Sequence, residues 1–493
     1  MPRASHPSRL AACSSYGILS ALAIASSATA QIWVPNPEVP DLKTAYEKAW
    51  EGVTISLSAG THTIDSTLDA EGTNIHLVGE VDAAGNPITT IDGEGLRRIL
   101  LIRTGESSAT VYENIRFANG FAVGENGGAI QIADADPRFV NCVFEGNRAA
   151  FKGGAMHIYG SNADVMITGS RFVANVVGSG NAGSGGALAI EQRSEVEIHD
   201  SFFAQNRAAS GGALWSGGSA YRIENSLLQA NAASGNGGAI YLNGGELEVG
   251  ETRFEGNLAV ALRGGAIMLY SAAAQIEKCG FDGNSSGLSG GALLTLGSGS
   301  TCLVGQSEFV RNIAGEDGGA VSLRYGQATF WETVFQGNSA AAEGGAIEVV
   351  NADVRLERIE GFGNSATVGG FLRQDGGHLE VWGSQVTGNA ASAAGGLRLM
   401  SGGTADLLES TVCENDAEPI LGAWNDLGDN CVAEICGCGC PADLNGDGQV
   451  NGADFGLLIT AWGTGAGPAD LDGDGQVSAT DLGLLFAAWG PCS

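Results

Sequence analysis

The chain has 493 residues, of which 78 are glycine, 24 are lysine or arginine and 55 are aspartate or glutamate. The formal net charge of −31 argues against nucleic acids and anionic membranes as partners, because a phosphate backbone is bound by Lys and Arg that replace its counterions. Only 16% of the residues are charged, whereas 44% are hydrophobic. This composition indicates many turns between short buried strands.

The first thirty residues predict a signal peptide. Arg3 and Arg9 give a positive start, residues 18–25 form a short apolar stretch, and Ala28-Thr29-Ala30 matches a cleavage site. We therefore expect cleavage after Ala30. No later segment is long and apolar enough to span a bilayer, so the sequence predicts a secreted or cell-surface protein without a transmembrane anchor.

The segment after the signal predicts a short helix followed by early strands. Asp41 is a plausible N-cap, and an apolar helix face follows it. We expect this helix to cover the first coil of the structure described next, because an open end exposes strand edges. The face is formed by Leu42, Ala45, Tyr46, Ala49 and Trp50.

The middle of the chain repeats one unit. A Gly-Gly pair, usually followed by Ala and an aliphatic residue, recurs every 25 to 32 residues, most often every 26. Such spacing indicates stacked units, because one unit cannot bury its own apolar face. The pairs begin at Gly127, Gly153, Gly185, Gly211, Gly237, Gly264, Gly290, Gly318, Gly344, Gly369 and Gly395.

Two further columns accompany each pair. The first is mostly Phe, although Gly361 stands where Phe is due in the unit that begins at Gly344, and the second is Asn three residues later. A small column of Ser, Thr or Cys precedes the Phe column by two residues. The Asn column comprises Asn147, Asn175, Asn206, Asn231, Asn257, Asn284, Asn312, Asn338, Asn364, Asn389 and Asn415.

The spacings of two within each unit indicate strands. Stacking pairs each strand with its copies above and below, which defines a parallel β-helix, and the crossover rule makes it right-handed. We expect about 11–13 coils at ~4.8 Å, with stacked Phe rings inside, an Asn ladder at one turn and the Gly-Gly pair at a tight corner. The predicted fold class is all-β, with a small α-helical calcium module at the C-terminus.

The repeat resembles a known bacterial family. Gly237-Gly238-Ala239-Ile240 with Phe254-Glu255-Gly256-Asn257 is similar to the polymorphic outer-membrane protein repeat, and the resemblance covers about residues 115–416. That family belongs to the pectin-lyase-like right-handed β-helices, and its members are typically surface-exposed adhesins. The resemblance implies a β-helical adhesin.

Two twelve-residue loops near the C-terminus, 27 residues apart, predict two Ca²⁺ sites. Each places oxygen-bearing side chains at positions 1, 3, 5, 9 and 12 and a main-chain carbonyl at position 7, as a hard cation requires. A near-identical apolar segment follows each loop. The expected ligands are Asp443, Asn445, Asp447, Gln449, Asn451 and Asp454 in the first loop, and Asp470, Asp472, Asp474, Gln476, Ser478 and Asp481 in the second.

The segment 441–490 resembles a type I dockerin, which also carries Asp at loop position 12. The resemblance implies calcium binding and a cohesin-like partner that is recognised around loop positions 10 and 11. Those positions hold Gly452, Ala453, Ala479 and Thr480 here, and the basic helix pair of the family is replaced by Ile459/Thr460 and Phe486/Ala487.

The cysteines form two groups. Cys142, Cys279 and Cys302 are expected to be buried free thiols within the repeats. Cys13 lies in the signal peptide, and the other six cluster at the C-terminus, where export favours disulfides over a metal tract. We expect a Cys440–Cys492 disulfide, because these residues flank the two loop–helix units and pseudo-twofold pairing of the units brings their ends together.

Residues four and six after the first glycine of each pair should face outward. They include His157, Met268 and several aromatic residues, which suit stacking on sugar faces or a protein partner; packing beneath a loop is the alternative. Asp134 and Asp136 are the best carboxylate pair, but a turn before Pro137 explains them better, so catalytic residues stay unassigned. The candidate ligand-binding residues are Tyr159, Glu191, Trp215, Tyr241, Asn243 and Tyr270.

The sequence therefore predicts a signal peptide (1–30), a β-helix with an N-terminal helical cap (31–416), a Cys-rich linker (417–440) and a dockerin-like calcium module (441–493). The favoured function is a secreted or surface adhesin or glycan-binding protein that docks through the module. Two alternatives are a polysaccharide lyase or glycoside hydrolase carried by a dockerin, and a structural surface rod. We lean against catalysis, and expect an extracellular glycan or cell-surface protein as ligand.

Overall fold

The computed structural model describes residues 31–34, 41–178, 183–400, 402–436, 440–447, 449–465 and 467–491. In these residues the chain forms a right-handed parallel β-solenoid of about 15 turns, followed by two short helices. The predicted fold class is thus confirmed. Four parallel sheets, which we call A, B, C and D, form the walls of the rod. Each complete turn contributes one strand to each sheet, in that order.

Sheet A has sixteen strands and sheet B fifteen. Sheet A comprises Gln31–Val34, Val53–Leu57, Ile75–Val78, Val111–Glu113, Arg138–Val140, Asp164–Thr168, Glu195–His199, Ala220–Glu224, Glu246–Gly250, Ala273–Glu277, Thr301–Gly305, Gln327–Trp331, Asp353–Glu357, Gly377–Trp382, Gly403–Leu408 and Asn425–Asp426. Sheet B comprises Gly60–Thr63, Thr89–Asp92, Ile115–Ala118, Val143–Glu145, Arg171–Val173, Phe202–Ala204, Leu227–Gln229, Arg253–Glu255, Gly280–Asp282, Glu308–Val310, Val334–Gln336, Glu360–Phe362, Gln385–Thr387, Thr411–Cys413 and Cys431–Val432.

Sheet C has nine two-residue strands and sheet D fourteen strands. Sheet C comprises Phe121–Ala122, Arg148–Ala149, Val176–Val177, Arg207–Ala208, Ala232–Ala233, Leu258–Ala259, Ser285–Ser286, Ile313–Ala314 and Ser339–Ala340. Sheet D comprises Leu68–Asp69, Leu100–Ile102, Ile130–Ala133, Met156–Tyr159, Leu188–Glu191, Leu214–Gly217, Ile240–Asn243, Ile267–Tyr270, Leu293–Leu296, Val321–Arg324, Ile347–Val350, Leu372–Asp375, Leu397–Leu399 and Ile420–Leu421.

The Phe column forms the predicted ladder inside sheet B. Phe254 and Phe281 are buried on adjacent coils, with ring centroids 4.8 Å apart and planes 3° apart. The stacking stops at Leu228, which separates the rings of Phe203 and Phe254. Offset stacking of buried rings adds to the free energy gained from burial alone, so the ladder strengthens the contact between those neighbouring coils that both carry Phe.

The Asn column forms a continuous buried hydrogen-bonded ladder. Asn231, for example, donates from Nδ2 to Asn257 Oδ1 (3.1 Å) and to the carbonyl oxygen of Phe203 (2.9 Å). Its main-chain N–H also donates to Asn257 Oδ1, at 3.1 Å. Each amide thus pairs with main-chain groups that would otherwise be buried in the turn without a hydrogen bond. Leaving such a group unpaired costs about 1–3 kcal/mol.

The Gly-Gly pair occupies a corner that has no room for a side chain. Gly237 has a φ of +63°, which glycine adopts without strain. A Cβ on Gly238 would lie 2.0 Å from the carbonyl oxygen of Gly265 on the next coil. The pair therefore recurs because each coil must approach the next at this corner.

One coil exchanges a large and a small residue between sheet B and the corner that precedes sheet D. Gly361 replaces the expected Phe, and Phe371 replaces the Ala that usually follows the Gly-Gly pair. A Cβ on Gly361 would lie 2.3 Å from the ring of Phe371, which is fully buried and packs edge-on against Phe335 at 5.9 Å. The ring of Phe371 thus fills the space that Gly361 leaves.

The N-terminal helix spans Leu42–Glu47, and the side chain of Asp41 caps it by accepting from the N–H of Thr44. Leu42 and Tyr46 are buried against the first coils, as expected for a cap. The predicted helix face extends too far, however, because the helix ends at Glu47 and Trp50 is exposed.

The rod continues past residue 416, into the segment predicted as a linker. The strands Ile420–Leu421, Asn425–Asp426 and Cys431–Val432 pair with sheets D, A and B. The rod has about 15 turns rather than the expected 11–13, and these three strands contribute to the difference because they add coils beyond residue 416. A Cys413–Cys436 disulfide, with Cα atoms 5.2 Å apart, links the last two coils.

The C-terminal segment contains two helices, Gly452–Thr460 and Ala479–Ala487, and a two-stranded antiparallel pair, Gln449–Val450 with Gly490–Pro491. Its separate apolar core is small. Among the described residues, no helix is both long and apolar enough to cross a bilayer. The fully or nearly buried members of this core are Cys440, Ala442, Val450, Leu458, Ala469, Val477 and Leu485.

Candidate functional site

The first acidic loop gathers carboxylates at the start of the helix Gly452–Thr460. One oxygen from each of Asp443, Asp447 and Asp454 lies within 4.8 Å of the others. Asp454 is fully buried, and its two oxygens accept from the N–H groups of Asn445 (3.1 Å) and Asn451 (2.8 Å). These hydrogen bonds fix a buried charge in position, so the loop geometry presents converging anionic oxygens.

The second loop also gathers three carboxylates, 27 residues later, although it uses Asp472 at loop position 3 where the first loop uses Asp447 at position 5. Asp470, Asp472 and Asp481 bring one oxygen each within 4.8 Å, and Asp481 is fully buried. Asp470 Oδ1 is buried and has no hydrogen-bond partner among the described residues. A buried carboxylate oxygen without a donor is costly. Its position beside two other carboxylates fits a cation ligand, so the donor set suits Ca²⁺.

The other predicted ligands have more varied surroundings. Asn451 and Ser478 accept from main-chain N–H groups and cap the two helices. Asn445 Nδ2 donates to Asp447 Oδ2 at 3.0 Å, and Asp474 Oδ1 accepts from the N–H of Gln476 at 2.8 Å. The structure thus brings together three carboxylates in each loop. Asn445, Gln449, Asn451, Asp474, Gln476 and Ser478 stay predictions as ligands.

The predicted aromatic row lies on sheet D, and two of its flanking members are buried. Trp215 pairs with Tyr241 in register, and Asn243 pairs with Tyr270. Trp215 and Tyr241 are half-buried, whereas Tyr270 is exposed. His157 and Met268, expected to face solvent, are 4% and 3% exposed, so that expectation is wrong for both: facing away from the rod interior does not guarantee solvent contact.

A charged cluster lies at one end of this row. Glu191 Oε2 lies 2.7 Å from His157 Nε2, and Glu191 Oε1 lies 2.5 Å from Lys152 Nζ. Lys152 Nζ also lies 4.8 Å from the centroid of the Trp215 ring, and His157 stacks on Tyr159 at 4.9 Å. The hydrogen bond from His157, with help from Lys152, lowers the pKa of Glu191 to about 2.

Sequence reasoning missed Lys152. It directly precedes a Gly-Gly pair, a position that does not belong to any of the repeat columns.

A second network that sequence reasoning missed also lies on sheet D. Arg324 Nη2 contacts both oxygens of the buried Glu348 at 2.9 Å, and Ser322 Oγ donates to Glu348 Oε2 at 2.6 Å. Burial raises the pKa of Glu348.

The carboxylate pair Asp134 and Asp136 lies between the strands Ile130–Ala133 and Arg138–Val140. Asp136 Oδ1 accepts from the N–H of Asp164 on the next coil, at 3.0 Å. This hydrogen bond gives Asp136 a role in the turn.

The cysteines follow the predicted division where they are described. Cys142, Cys279 and Cys302 are buried free thiols, as expected. Burial raises the pKa of each to about 12, so they are unreactive as nucleophiles. Cys440 is disulfide-bonded. Cys492 lies outside the described residues, so its pairing with Cys440 stays a prediction.

Two family models match parts of the chain. Residues 441–487 match the dockerin type I domain, and residues 332–349 match the Chlamydia polymorphic membrane protein repeat. Both resemblances seen in the sequence are therefore confirmed. Dockerin domains bind calcium and imply a cohesin-type partner. No curated protein matches the chain.

The chain is also distantly similar to solved β-helix structures. The catalytic unit of a thermostable GH87 alpha-1,3-glucanase from Streptomyces thermodiastaticus strain HF3-3 is 10% identical, with 84% of this chain and 71% of that chain covered and a TM-score of 0.43. A mannuronic acid specific polysaccharide family 6 lyase from human gut microbiota is 14% identical, with 81% and 92% covered and a TM-score of 0.43. At these values the similarities say nothing about the activity of this chain.

Proposed function

We propose that this protein is an extracellular or cell-surface β-helix that binds a glycan without cleaving it and is held in place by its calcium-dependent C-terminal module. The observation that carries the proposal is the pair Trp215 and Tyr241, in register on two successive coils of sheet D, with Tyr270 on the next coil two residues further along its strand. Aromatic rings of this kind stack on the apolar faces of sugars. Parallel strands place successive coils about 4.8 Å apart, which suits an extended polymer.

The charged cluster beside the row supports binding rather than catalysis. A general base works best when its pKa is near the working pH. The pKa of Glu191 is about 2, because His157 and Lys152 stabilise its ionised form. Glu191 is therefore a weak base at neutral pH, and its oxygens are already held by two partners. The cluster is suited to position Trp215 and Tyr159 rather than to move protons.

The module would hold two Ca²⁺ ions, one in each loop. Asp443, Asp447 and Asp454 would contribute to the first site, and Asp470, Asp472 and Asp481 to the second. The ion supplies positive charge that offsets the repulsion between three carboxylates in each loop. Asp454 and Asp481 also accept from the N–H groups of Asn451 and Ser478 at the helix starts. Ion binding is thereby coupled to the placement of both helices.

An apolar surface on the two helices supports docking on a cohesin-type partner. Six large apolar side chains are 42–53% exposed, and they form three pairs that are each 27 residues apart. No Lys, Arg or His follows Arg398 in the sequence, so a partner with a basic rim around an apolar patch would complement this face. The pairs are Leu457 and Leu484, Ile459 and Phe486, and Trp462 and Trp489.

Binding assays on the full chain test both parts of the proposal. From a panel of immobilised acidic and neutral polysaccharides, we expect at least one to bind without release of reducing ends or unsaturated products. Trp215→Ala/Tyr241→Ala should weaken that binding with little change in melting temperature. Depolymerisation by the wild-type chain would instead support the lyase or glycosidase alternative, and the absence of any binding would support a structural rod.

Docking is tested with an immobilised type I cohesin in calcium and in chelator. We expect calcium-dependent capture that Trp462→Ala/Trp489→Ala weakens. The matched control is Trp331→Ala, a half-buried Trp on sheet A. Capture that is unaffected by chelator would contradict a calcium-dependent docking module.

A further inference from the structure

A shallow hollow lies on the outer face of sheet A, on a different sheet from the aromatic row. It has a volume of about 410 Å³ and crosses the four strands from Glu246–Gly250 to Gln327–Trp331. A second hollow of about 320 Å³ shares Gln327, Ala328 and Thr329 with the first and reaches His378. Together they cross six coils, or about 24 Å at ~4.8 Å per coil, so the groove runs along the axis of the rod.

The first hollow lies where two outward-facing columns of sheet A lack charged residues. These two columns pass through Glu195 and Glu197. From that strand to Gly403–Leu408, all strands but three carry a charged residue in at least one of the two columns. These three strands are consecutive and lie at the hollow. Their outward residues in the two columns are Ala273, Gln275, Thr301, Leu303, Gln327 and Thr329.

The strands on either side hold crossing ion pairs. Arg222 Nη2 lies 2.7 Å from Glu224 Oε1, and Arg222 Nε lies 3.7 Å from Glu248 Oε2. Beyond the other edge, Arg355 lies 3.2 Å from a Glu357 oxygen and stacks over the Trp382 ring at 3.7 Å. The neutral surface is thus bounded by ion-paired groups in which carboxylates outnumber the arginines.

The hollow offers an apolar centre with free polar groups around it. Leu303 is 45% exposed in the middle of the hollow. In the described part of the chain, the side chains of Thr301, Gln327 and Thr329 make no hydrogen bond. Gln275 Nε2 donates to Glu277 Oε1 at 3.0 Å, which orients its carbonyl oxygen as an acceptor. These groups present both donors and acceptors without a formal charge.

We propose that this hollow binds a neutral polysaccharide chain that runs along the rod axis. A pyranose ring has an apolar C–H face that matches Leu303, and hydroxyl groups that match uncharged amides and hydroxyls. A polyuronate is disfavoured, because Glu246 and Glu248 border the hollow and the chain has a net charge of −31. The inference goes beyond the proposed function, since it assigns a second surface and a ligand class and does not depend on the aromatic row.

The test measures binding of the full chain, in calcium, to mixed-linkage β-glucan, galactomannan and xyloglucan by affinity electrophoresis and titration calorimetry. Polygalacturonate is the anionic comparison. We expect at least one neutral polymer to bind. Leu303→Asp should raise its Kd about tenfold or more, which corresponds to about 1.4 kcal/mol. The matched control, Met166→Asp, changes the same outward column five strands earlier and should leave the Kd unchanged.

A second variant, Gln327→Ala/Thr329→Ala, removes hydrogen-bonding groups without adding charge, so the proposal is still tested if Leu303→Asp does not fold. Both variants should weaken binding while the melting temperature stays near that of the wild type. Binding of none of the neutral polymers, preference for polygalacturonate, or equal weakening by Met166→Asp would overturn the proposal. Loss of binding in Trp215→Ala/Tyr241→Ala, with full binding in Leu303→Asp, would also overturn it while supporting the proposed function of the aromatic row.

Discussion

The rod and the C-terminal module build their cores in different ways. In the rod, one continuous apolar core runs from Val34 to Val412, and the same side chains repeat coil after coil as ladders. In the module, a few apolar side chains surround two loops rich in carboxylates. Stability in a solenoid grows with each added neighbour, whereas a domain of about 50 residues is marginal without a staple or a metal. The comparison suggests that the rod is self-supporting and that the module depends on an ion.

The largest expected effect separates the two regions directly. Asp481→Ala removes a fully buried carboxylate that converges with two others and accepts from three main-chain N–H groups. We expect complete loss of any calcium-dependent unfolding transition of the module and no shift of the rod transition. Asp416→Ala, at an exposed position near the end of the rod, is the control. Retention of a calcium-dependent transition in Asp481→Ala would break the comparison.

The next effect tests the ladder of the rod. Phe254→Ala removes a fully buried ring that stacks on Phe281, and we expect a loss of about 3–5 kcal/mol in the free energy of unfolding. Phe202→Ala changes a half-buried Phe that lies on Arg171, at 4.7 Å, on the outer side of the same sheet. Denaturant unfolding should show a much smaller change for this control. Equal losses in the two variants would mean that stacking inside the rod has no special role.

The loss of hydrogen-bond donors from the Asn ladder should lower the free energy of unfolding of the rod. Asn257 Nδ2 donates to Leu228 O and to Asn284 Oδ1, both at 2.9 Å. Asn257→Asp replaces these donors by oxygen, so we expect a loss of about 2–3 kcal/mol at neutral pH. Asn243→Asp changes an exposed Asn on sheet D and should be nearly neutral in the same unfolding experiment. A neutral effect of Asn257→Asp would show that the ladder is dispensable.

The smallest expected effect is a pH dependence of the stability that Glu191, on sheet D, contributes to the rod. The pKa of Glu191 is about 2 in the folded rod, below the ~4.3 of an unfolded Glu. Its contribution to stability is therefore fully present above pH ~4.3 and is lost as the pH falls towards 2. Glu191→Gln should lower the melting temperature at pH 7, by an amount equivalent to about 1–3 kcal/mol, and the difference should shrink at pH 2.5. Glu195→Gln is the exposed control. A melting-temperature difference between Glu191→Gln and the wild type that is the same at both pH values would contradict this account.

The periodic part of the fold was accessible from the sequence because each column reports one physical requirement. The Asn column marks a turn whose main-chain groups need partners, and Gly238 marks a corner without room for a Cβ. The exchange between Gly361 and Phe371 was not accessible, since the two residues are ten positions apart and meet only in the folded coil. The coils beyond residue 416 were missed for a related reason: their strands are two residues long and lack the repeat columns.

The candidate sites also differ in how far the sequence could predict them. The carboxylates of each calcium loop are close in sequence, so their spacing alone predicts that they converge. The contacts of Glu191 with Lys152 and His157 join residues that are 39 and 34 positions apart. Alternation along a strand placed His157 outward, but it could not show that neighbouring groups cover it. The neutral hollow on sheet A appears only when outward residues of several coils are compared in register.

Differential scanning calorimetry of the full chain, in calcium and in excess chelator, tests the contrast between rod and module most directly. The account predicts two transitions in calcium. Chelator should abolish or strongly lower the one that belongs to the module, and leave the rod transition at the same temperature. A single transition that shifts as a whole with calcium, or two transitions that are both indifferent to chelator, would contradict a self-supporting rod joined to an ion-dependent module.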